Sequence, residues 1–432
     1  MTQDSPFLVP KLGNIAPTSM NLPGSKSIAL RQLALAALAP GTSSVIGVPP
    51  CDDTEAMIDC LGALGADLRE DEKGIHISGH INLGSETIRL NARMSGASTR
   101  LLIGIAALRK GVTLIDGHPS LRARTNQPLF DVLRRHGCQI SSPNEGLPAE
   151  IRGGLHGTDV IQIDGSLSSQ YISALLIIAP LLGAAQEQPV QVQILGDLVS
   201  RPYIDITLNE MAKRGITGRW LTNQRLEVAP GTYQGGSFEV EGDATAATYF
   251  AGLALLHGAE IELKNLGHDS RQGDYAFFEV MESFGAQVQR GSSTTIAGPK
   301  ALKPVSEIDM VTMPDAALTL ITLSPLLDQP PRITGLQSLH HKECDRLNCP
   351  AREFEFMGIN RDLSSDSIQT KPTPPETIKT HTLNTYHDHR MAMAFSLIGS
   401  VTGNLSVDDP RVVDKTYPGY WTDYIALEKG VQ

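Results

Sequence analysis

One pattern recurs six times along this chain, at intervals of roughly 70 to 75 residues, and it constrains the fold more than any other feature. Each copy opens with a few polar residues, continues as a run rich in Ala, Leu and Ile, and ends at a turn. Near-constant spacing of this kind indicates repeated supersecondary units. The six polar openings are Ser25-Lys26-Ser27, Ser95-Gly96-Ala97-Ser98, Ser168-Ser169-Gln170, Gly242-Asp243-Ala244-Thr245, Pro314-Asp315-Ala316 and Asp388-His389-Arg390.

The first copy predicts the order of elements within a repeat. Residues 25–38 predict a buried helix, because their apolar side chains fall at helical spacing, and Gly41 ends it. Residues 44–48 predict a strand, and Asp52 or Asp53 is expected to cap a second, amphipathic helix. The expected order is therefore strand, buried helix, strand, amphipathic helix, and then one or two further strands.

A chain of 432 residues is too long for one ordinary core, and six repeats divide naturally into two domains of three. The sixth repeat runs out of chain, so we expect residues 7–14 to supply its missing strand. We therefore predict one domain of residues 22–236 and a discontinuous second domain of residues 1–21 plus 237–432. Two crossings at this hinge would permit domain closure. The polar, proline-containing residues 363–382 are predicted to form an exposed loop.

The polar openings share a chemical consequence. A helix N-terminus presents free N–H groups and a partial positive charge, so it favours anions, and six of them facing one cleft would form a strong anion site. The net charge of −11, from 36 basic and 47 acidic residues, disfavours a nucleic acid or an anionic membrane as partner. A small anionic substrate is compatible with this charge, because local cations override a mildly acidic surface.

Neither a membrane span nor a signal peptide is predicted. The longest apolar run, residues 172–185, contains Pro180 and is too short to cross a bilayer. The N-terminus lacks the basic, apolar and small-residue zones of a signal peptide. Five cysteines without a C-x-x-C pair predict reduced thiols in the cytoplasm.

Two clusters of charged residues carry candidate chemistry, and each has a plain structural alternative. Lys26, Ser27 and Arg31 share the start of the first helix, where they can bind a phosphate or carboxylate. The alternative is a capping serine beside solvated cations. The run Lys342-Glu343-Cys344-Asp345-Arg346 combines a carboxylate for proton transfer with an arginine that can clamp a planar anion. The alternative there is a solvated, salt-bridged helix start.

A third cluster, His387-Asp388-His389-Arg390, contains an H-x-H pair that suggests zinc. No third or fourth ligand follows at suitable spacing, so anion binding is preferred and no metal is predicted. Asp243 and Arg271 are assigned only a capping or surface role. No Walker A motif and no strand-linked G-x-G-x-x-G motif occurs, so neither ATP nor a dinucleotide is predicted. Further candidates, each with a capping or surface alternative, are Arg100, Arg124, Ser168, Ser169, Gln170, Ser200, Tyr203, Asp315 and Lys415.

These motifs together resemble the 5-enolpyruvylshikimate-3-phosphate synthase family of enolpyruvyl transferases, from about Leu22 to Lys415. Several separate motifs in the right order make the match specific. The resemblance implies an inside-out α/β barrel of two domains, each with three βαβαββ repeats and buried helices, and an active site in the cleft between them. The matching motifs are Leu22-Pro23-Gly24-Ser25-Lys26-Ser27, Ser168-Ser169-Gln170-Tyr171, Arg201-Pro202-Tyr203-Ile204-Asp205, Pro314-Asp315-Ala316-Ala317, Lys342-Glu343-Cys344-Asp345-Arg346-Leu347 and Asp388-His389-Arg390-Met391-Ala392-Met393.

The resemblance also implies the reaction. The family transfers the enolpyruvyl group of phosphoenolpyruvate to the 5-hydroxyl of shikimate 3-phosphate and releases phosphate through a tetrahedral ketal intermediate, without a metal or organic cofactor. This is a step of the shikimate pathway, which leads to chorismate and the aromatic amino acids. We therefore expect a cytoplasmic, monomeric transferase that binds these two substrates and the inhibitor glyphosate.

Residue by residue, the resemblance implies three sets of roles. Shikimate 3-phosphate would bind Lys26, Ser27, Arg31, Ser168, Ser169, Gln170, Ser200, Tyr203, Asp315 and Lys342. Phosphoenolpyruvate would bind Lys26, Gly96, Arg124, Gln170, Arg346, His389, Arg390 and Lys415. Asp315 and Glu343 would move protons, with Lys26 or Lys415 assisting.

Some positions depart from the family pattern, and two other functions stay open. Ala29-Leu30 stand where a Ser-Asn pair is frequent, and Met94 stands where Asn is common. A UDP-N-acetylglucosamine enolpyruvyl transferase shares the fold but carries a loop cysteine near the position of Arg124, where residues 119–124 contain none. A non-catalytic anion-binding relative would lose acid–base residues, whereas this chain retains the full set.

Overall fold

Each repeat is built around a helix that is buried around its whole circumference, which explains the nearly continuous apolar runs of the sequence. The structure is a computed structural model and describes residues 6–78, 81–155, 157 and 159–429. In four of these helices the N-cap side chain accepts a hydrogen bond from the first turn, namely in those capped by Ser95, Ser168, Asp243 and Asp388. The buried helices are Lys26–Leu38, Gly96–Leu108, Ser169–Ala184, Ala244–His257, Ala317–Leu323 and His389–Thr402.

A second set of helices follows the buried ones, one in each repeat. Five of them end before a glycine with positive φ, between +78° and +105°, a conformation that glycine adopts without steric cost. These glycines are Gly65, Gly137, Gly215, Gly285 and Gly358. The second helices are Asp52–Ala63, Gln127–Arg135, Pro202–Lys213, Phe277–Ser283, Asn348–Met357 and Tyr420–Lys429, and a short helix lies at Pro119–Arg122.

One strand order recurs in the sheets. A first strand runs parallel to the second, the second pairs antiparallel with the fourth, and the fourth pairs antiparallel with the third. In spatial order the second repeat has Ile88–Asn91, Val112–Asp116, Ala149–Arg152 and Gln139–Ser141. The third repeat has Val160–Asp164, Val190–Leu195, Arg225–Val228 and Gly218–Thr222. The fifth repeat has Glu307–Asp309, Arg332–Thr334, Ile368–Thr370 and Arg361–Leu363.

The other three repeats take one strand from a distant part of the chain. Gly236–Glu239 lies parallel to Thr42–Ile46, which is followed in the sheet by Gly74–Ser78 and Asp67–Asp71. Thr18–Met20 lies parallel to Glu260–Leu263, which is followed by Thr294–Ala297 and Gln287–Arg290. In the sixth repeat His381–Leu383 lies parallel to Leu405–Val407, and Phe7–Leu8 pairs antiparallel with the latter. The N-terminal segment thus supplies a strand to the sixth repeat, as the sequence predicted.

The chain divides into two compact units, each with its own core of buried helices. One unit is Gly24–Val240, and the other comprises the chain up to Pro23 together with the chain from Glu241 onward. In the first unit Leu33, Ile103 and Leu176, one from each buried helix, are 0% exposed. In the second unit the equivalent side chains, Phe250, Leu320 and Phe395, are also 0% exposed. Each unit is therefore an α/β unit of three repeats with its helices inside.

Several local predictions differ from the structure. The division after residue 236 places too little chain in the first unit, because Gly236–Glu239 pairs with Thr42–Ile46. Cys51, not Asp52 or Asp53, is the N-cap of the second helix. Residues 363–382 are not a simple loop, because Ile368 is 1% exposed and its strand pairs on both sides. Within the described chain, every helix is too short or too polar to cross a membrane.

Candidate active site

Lys26 is held at the start of its helix by a buried carboxylate. Its Nζ lies 2.8 Å from Oδ2 of Asp53, whose side chain is only 3% exposed. Asp53 lies in the first turn of the helix Asp52–Ala63, so a second element of the same repeat positions the lysine. The alternative of a solvated cation therefore fails at Lys26. Sequence analysis assigned Asp53 only a possible capping role, because its ion pair with Lys26 forms only in the tertiary structure.

Arg31 is buried one turn further along the same helix. Its Nε donates to Thr207 Oγ1 at 2.7 Å, and Nη1 donates to the Ser27 carbonyl at 2.7 Å. Its Nη2 donates to Ser173 Oγ at 3.2 Å and to the Tyr203 carbonyl at 3.1 Å. Burial lowers the pKa of Arg31 to about 10, so the guanidinium stays charged at neutral pH. A buried cation whose direct acceptors are uncharged is well suited to bind an anion.

Through these bonds Arg31 connects the helices that carry the other predicted hydroxyl groups. Ser173 belongs to the helix Ser169–Ala184, and Tyr203 lies in the first turn of the helix Pro202–Lys213. Just before that helix, Ser200 has a φ of +55°. A non-glycine residue in the left-handed region costs of the order of 1–2 kcal/mol, and such strain clusters at binding and catalytic sites. Ser27, Ser200 and Tyr203 thus lie in elements that converge on one buried guanidinium.

Gly96 begins the second buried helix beneath two guanidinium groups. A Cβ atom at this position would lie 2.6 Å from Nη1 of Arg100 and 3.0 Å from Nη1 of Arg124. Arg100 also donates to the Gly96 carbonyl at 2.9 Å. The absent side chain leaves room for both cations beside the free N–H groups of the helix. This end of the helix Gly96–Leu108 therefore combines two charges with the helix dipole, as an anion site requires.

The start of the third buried helix lies near the same cations. Ser168 caps the helix by accepting from the Gln170 backbone at 3.2 Å. The ring of the next residue, Tyr171, lies 5.9 Å from the Arg100 guanidinium, and its hydroxyl donates to the carbonyl of Thr125 at 2.7 Å. Tyr171 thus connects the start of the third buried helix to Arg100 and to Thr125, the residue after Arg124.

In the other unit, Arg346 bridges three carboxylates. Its Nη1 donates to Asp315 Oδ1 at 3.0 Å, and its Nη2 donates to Glu343 Oε2 at 2.8 Å. Its Nε and Nη2 bind the two oxygens of Asp388 at 2.7 and 3.1 Å. The Arg346 side chain is 1% exposed, and the helix begins only at Asn348. The alternative of a solvated helix start is therefore wrong for Arg346.

Three further cations approach the two predicted proton-transfer groups. Lys342 Nζ lies 3.1 Å from Asp315 Oδ1, and Arg390 Nη2 lies 3.2 Å from Asp315 Oδ2. Lys415 Nζ lies 3.1 Å from Glu343 Oε1. Burial raises the pKa of Asp315, but Lys342, Arg390 and Arg346 outweigh it and lower the pKa well below the ordinary value. Asp315 is therefore ionised at neutral pH and able to accept a proton.

The His387–Arg390 cluster forms the start of the sixth buried helix. Asp388 is 0% exposed and accepts from the Arg390 backbone at 3.0 Å. His389 is buried beside it, with Nδ1 3.4 Å from Asp388 Oδ1. Among the residues that the structure describes, no group of three or more His, Cys, Asp or Glu side chains is arranged to hold a metal ion.

One buried carboxyl group near this cluster was not predicted from the sequence, because no local motif marks it. Asp274 accepts a hydrogen bond from the Thr245 hydroxyl in the first turn of the fourth buried helix. Burial, together with the negative charge of Asp315, raises the pKa of Asp274 to about 7. By contrast Asp243, assigned a capping role, caps that helix by accepting from the Ala246 backbone at 3.0 Å.

The fold of this chain is similar to that of solved enolpyruvyl transferases. An EPSP synthase from Acinetobacter baumannii superposes with a TM-score of 0.78 over 98% of this chain and 97% of its own, at 22% identity. The enolpyruvyl transferase NikO from Streptomyces tendae superposes with a TM-score of 0.75 over 98% of both chains, at 16% identity. At these identities the likeness establishes the fold, which is that of the enolpyruvyl transferases.

Sequence comparison narrows the class. The family model EPSP synthase (3-phosphoshikimate 1-carboxyvinyltransferase) matches residues 15–424. The 3-phosphoshikimate 1-carboxyvinyltransferase of Photobacterium profundum is 37% identical over 422 residues, which cover 95% of this chain and 96% of the relative. That of Methanosphaerula palustris is 36% identical over 407 residues, covering 92% and 94%. The chain belongs to the EPSP synthase family.

Proposed function

We propose that this protein transfers the enolpyruvyl group of phosphoenolpyruvate to the 5-hydroxyl of shikimate 3-phosphate, giving 5-enolpyruvylshikimate 3-phosphate and phosphate. The observation that carries the proposal is the bridge made by Arg346, which holds Asp315 at 3.0 Å and Glu343 at 2.8 Å. One guanidinium thus fixes two carboxylates near each other among further cations. Addition followed by elimination needs both an acid and a base in one site, and such a pair supplies them.

The hydroxyls and cations of the unit Gly24–Val240 suit a phosphorylated polyol. A phosphate takes hydrogen bonds from serine hydroxyls and charge from a buried arginine, and a hydroxylated ring takes further hydrogen bonds. Arg31 is the buried cation of this set, and Ser169 is 3% exposed in the first turn of its helix. The proposed set is Lys26, Ser27, Arg31, Ser168, Ser169, Gln170, Ser200, Tyr203, Asp315 and Lys342.

The remaining cations suit phosphoenolpyruvate, which carries a phosphate and a carboxylate. Arg124 lies beside the N–H groups at Gly96, an arrangement suited to a phosphate. Arg346 and Arg390 have the planar fork that matches a carboxylate. The proposed set is Lys26, Gly96, Arg124, Gln170, Arg346, His389, Arg390 and Lys415.

The charges around Asp315 and Glu343 suggest how protons move. Carbon 3 of phosphoenolpyruvate takes a proton, the 5-hydroxyl adds to carbon 2 and loses its own proton, and the ketal then loses phosphate as carbon 3 returns a proton. Asp315 is ionised in the free protein and is proposed to take the hydroxyl proton. Glu343, bound by Lys415 at 3.1 Å, is proposed to exchange the proton at carbon 3, with Lys415 or Lys26 assisting.

The same proposal also concerns the inhibitor, the oligomeric state and the cellular compartment. Glyphosate, a small anion with a carboxylate and a phosphonate, would compete for the cations that hold phosphoenolpyruvate. The protein is proposed to act as a monomer, because one chain supplies all of the residues proposed to bind the two substrates. The five cysteines form no disulfide, which is compatible with a reducing cytoplasm.

Phosphate release tests the proposal. Purified protein should release phosphate only when phosphoenolpyruvate and shikimate 3-phosphate are both present, and a chelator should not change the rate. UDP-N-acetylglucosamine in place of shikimate 3-phosphate is the control for the sister activity, and it should give no turnover. Binding of both substrates without phosphate release would instead support the non-catalytic relative.

A further inference from the structure

The turn that precedes Asp388 has an unusual backbone. Tyr386 and His387 are consecutive non-glycine residues with φ values of +52° and +57°. Left-handed backbone is sterically unfavourable for residues with a side chain, and more so for a bulky one. Such a turn persists only where surrounding contacts hold it, and the strained residues are usually close to a functional group.

Glu353 makes the contacts that hold this turn. Its side chain is 1% exposed and projects from the helix Asn348–Met357. Oε1 accepts from the Tyr386 hydroxyl at 2.6 Å. Oε2 accepts from the Asn384 backbone at 3.2 Å and lies 2.7 Å from Nε2 of His381. Donors from three positions along the strand and turn therefore converge on one buried carboxylate.

This turn also fixes the position of Asp388. The Asp388 backbone donates to the carbonyl of Thr385 at 2.9 Å, inside the segment that Glu353 holds. The Asp388 side chain then binds Nε and Nη2 of Arg346 at 2.7 and 3.1 Å, and accepts from the Arg390 backbone at 3.0 Å. A continuous series of contacts thus runs from Glu353, which touches neither arginine, to both of them.

We propose that Glu353 is a positioning residue for phosphoenolpyruvate: it holds the left-handed turn that places Asp388, and Asp388 places Arg346 and Arg390. This inference rests on the proposed function, in which both arginines bind that substrate. The hydrogen bonds of Glu353 reach the turn and the strand that leads into it, so its effect on the two arginines is expected to pass through the turn and Asp388. Displacing a binding group by about 1 Å weakens substrate use by a large factor, so loss of this support should be measurable.

Two substitutions test the positioning role of Glu353, one at Glu353 and one at its hydrogen-bond partner Tyr386. Glu353→Gln replaces one carboxylate oxygen by an amide that donates, so either Tyr386 or the Asn384 and His381 side of the network loses its acceptor. Tyr386→Phe removes one hydroxyl and keeps the ring. In each variant the KM for phosphoenolpyruvate should rise roughly tenfold, while the KM for shikimate 3-phosphate should change less than about twofold.

The double variant and a matched control complete the experiment. Because both single variants disturb the same hydrogen-bond network around Glu353, their effects on the KM for phosphoenolpyruvate should be less than multiplicative in the double variant. The control is Glu282→Gln, which removes a carboxylate from the second helix of the fourth repeat, where it binds Arg290 at 2.7 and 2.8 Å. It should lower the thermal midpoint without changing either KM.

The outcomes separate the two proposals. An active wild type with an unchanged KM for phosphoenolpyruvate in both folded variants overturns the positioning role and leaves the proposed function intact. An equal rise in both KM values indicates a general structural role and also overturns it. If Glu353→Gln does not fold, Tyr386→Phe carries the test alone. A wild type that releases no phosphate overturns the proposed function itself.

Discussion

At the scale of single residues, the chemistry of Asp315 is set by the cations around it. Lys342, Arg390 and Arg346 hold the pKa of this buried carboxylate well below its ordinary value. Such a carboxylate is a weak base in the free protein. When substrate anions bind the same cations, they neutralise part of the positive charge that stabilises the Asp315 carboxylate. The pKa of Asp315 should therefore rise. Substrate binding would therefore increase the basicity of Asp315 when a base is needed.

Replacing Asp315 should separate catalysis from binding. Asp315→Asn keeps the shape of the side chain and removes the base, so we expect kcat to fall by roughly 100-fold or more, within the range of general acid–base catalysis. Ser169→Ala removes a binding hydroxyl and should mainly raise the KM for shikimate 3-phosphate. Steady-state kinetics with each substrate varied would measure both. A near-normal kcat in Asp315→Asn would make Asp315 a binding residue and move the base to Glu343 or Lys26.

Asp274 gives a prediction about stability and pH. Its pKa is raised to about 7 in the folded protein, above the ordinary value of 3.8. Between these values the unfolded chain has lost the proton that the folded protein keeps, so stability falls as pH rises from about 4 to about 7. At about 1.4 kcal/mol per pKa unit, the raised pKa of Asp274 corresponds to a loss of stability of the order of 4 kcal/mol above neutral pH.

Asp274→Asn mimics the protonated carboxyl and can still accept from Thr245. It should therefore increase the free energy of unfolding at pH 8, and change it much less at pH 4.5. Urea denaturation at the two pH values measures the difference. An equal effect at both values would show that Asp274 does not keep its proton on folding.

At the scale of elements, the start of the helix Gly96–Leu108 needs a residue without a side chain. Gly96→Ala would place a Cβ 2.6 Å from Arg100 Nη1 and 3.0 Å from Arg124 Nη1, so at least one guanidinium must move. We expect the KM for phosphoenolpyruvate to rise roughly tenfold, because displaced binding groups have effects of this size or larger. The KM for shikimate 3-phosphate should change less.

Gly62→Ala is the matched control for that substitution. Gly62 also lies in a helix, and a Cβ there meets only Leu68 Cδ1 at 3.5 Å, an ordinary contact. The change should leave kinetics unaltered and stabilise the protein by up to about 1 kcal/mol through helix propensity. If Gly96→Ala behaved like Gly62→Ala, the two arginines would not bind an anion at this helix start.

The elements also show what the sequence could and could not predict. Ser95, Ser168 and Asp243 cap helices because capping depends on residues within one turn, which a sequence reveals directly. Asp315 was expected to open a helix, yet Ala316 takes the N-cap position and Asp315 binds cations instead. Its partner Arg346 is 31 residues away, so no local pattern could identify the pair.

The same limit explains the segment 363–382, predicted to be a loop. Its strand Ile368–Thr370 is three residues long and pairs with Arg361–Leu363 and with Ile333. A strand this short has no visible alternation in the sequence, and its stability comes from pairing partners and from the burial of Ile368. Long buried helices are predictable from composition, whereas short strands depend on the rest of the sheet.

At the scale of the whole chain, six copies of one structural repeat provide two chemically different sets of residues. The unit Gly24–Val240 contributes mainly hydroxyls and cations, including the buried Arg31. The other unit contributes carboxylates paired with cations around Arg346. Under the proposed function, hydroxyls and cations bind the substrate anions, and carboxylates move protons.

The most direct test of this account is the reaction run in D₂O and followed by ³¹P and ¹H nuclear magnetic resonance. Carbon 3 of phosphoenolpyruvate should accept a solvent deuteron and later lose one of its three hydrogens. We therefore predict the release of inorganic phosphate together with a product that carries deuterium in its enolpyruvyl methylene group, and only when shikimate 3-phosphate is present. Phosphate release with no deuterium at carbon 3, or no phosphate release at all, would contradict the proposed addition and elimination.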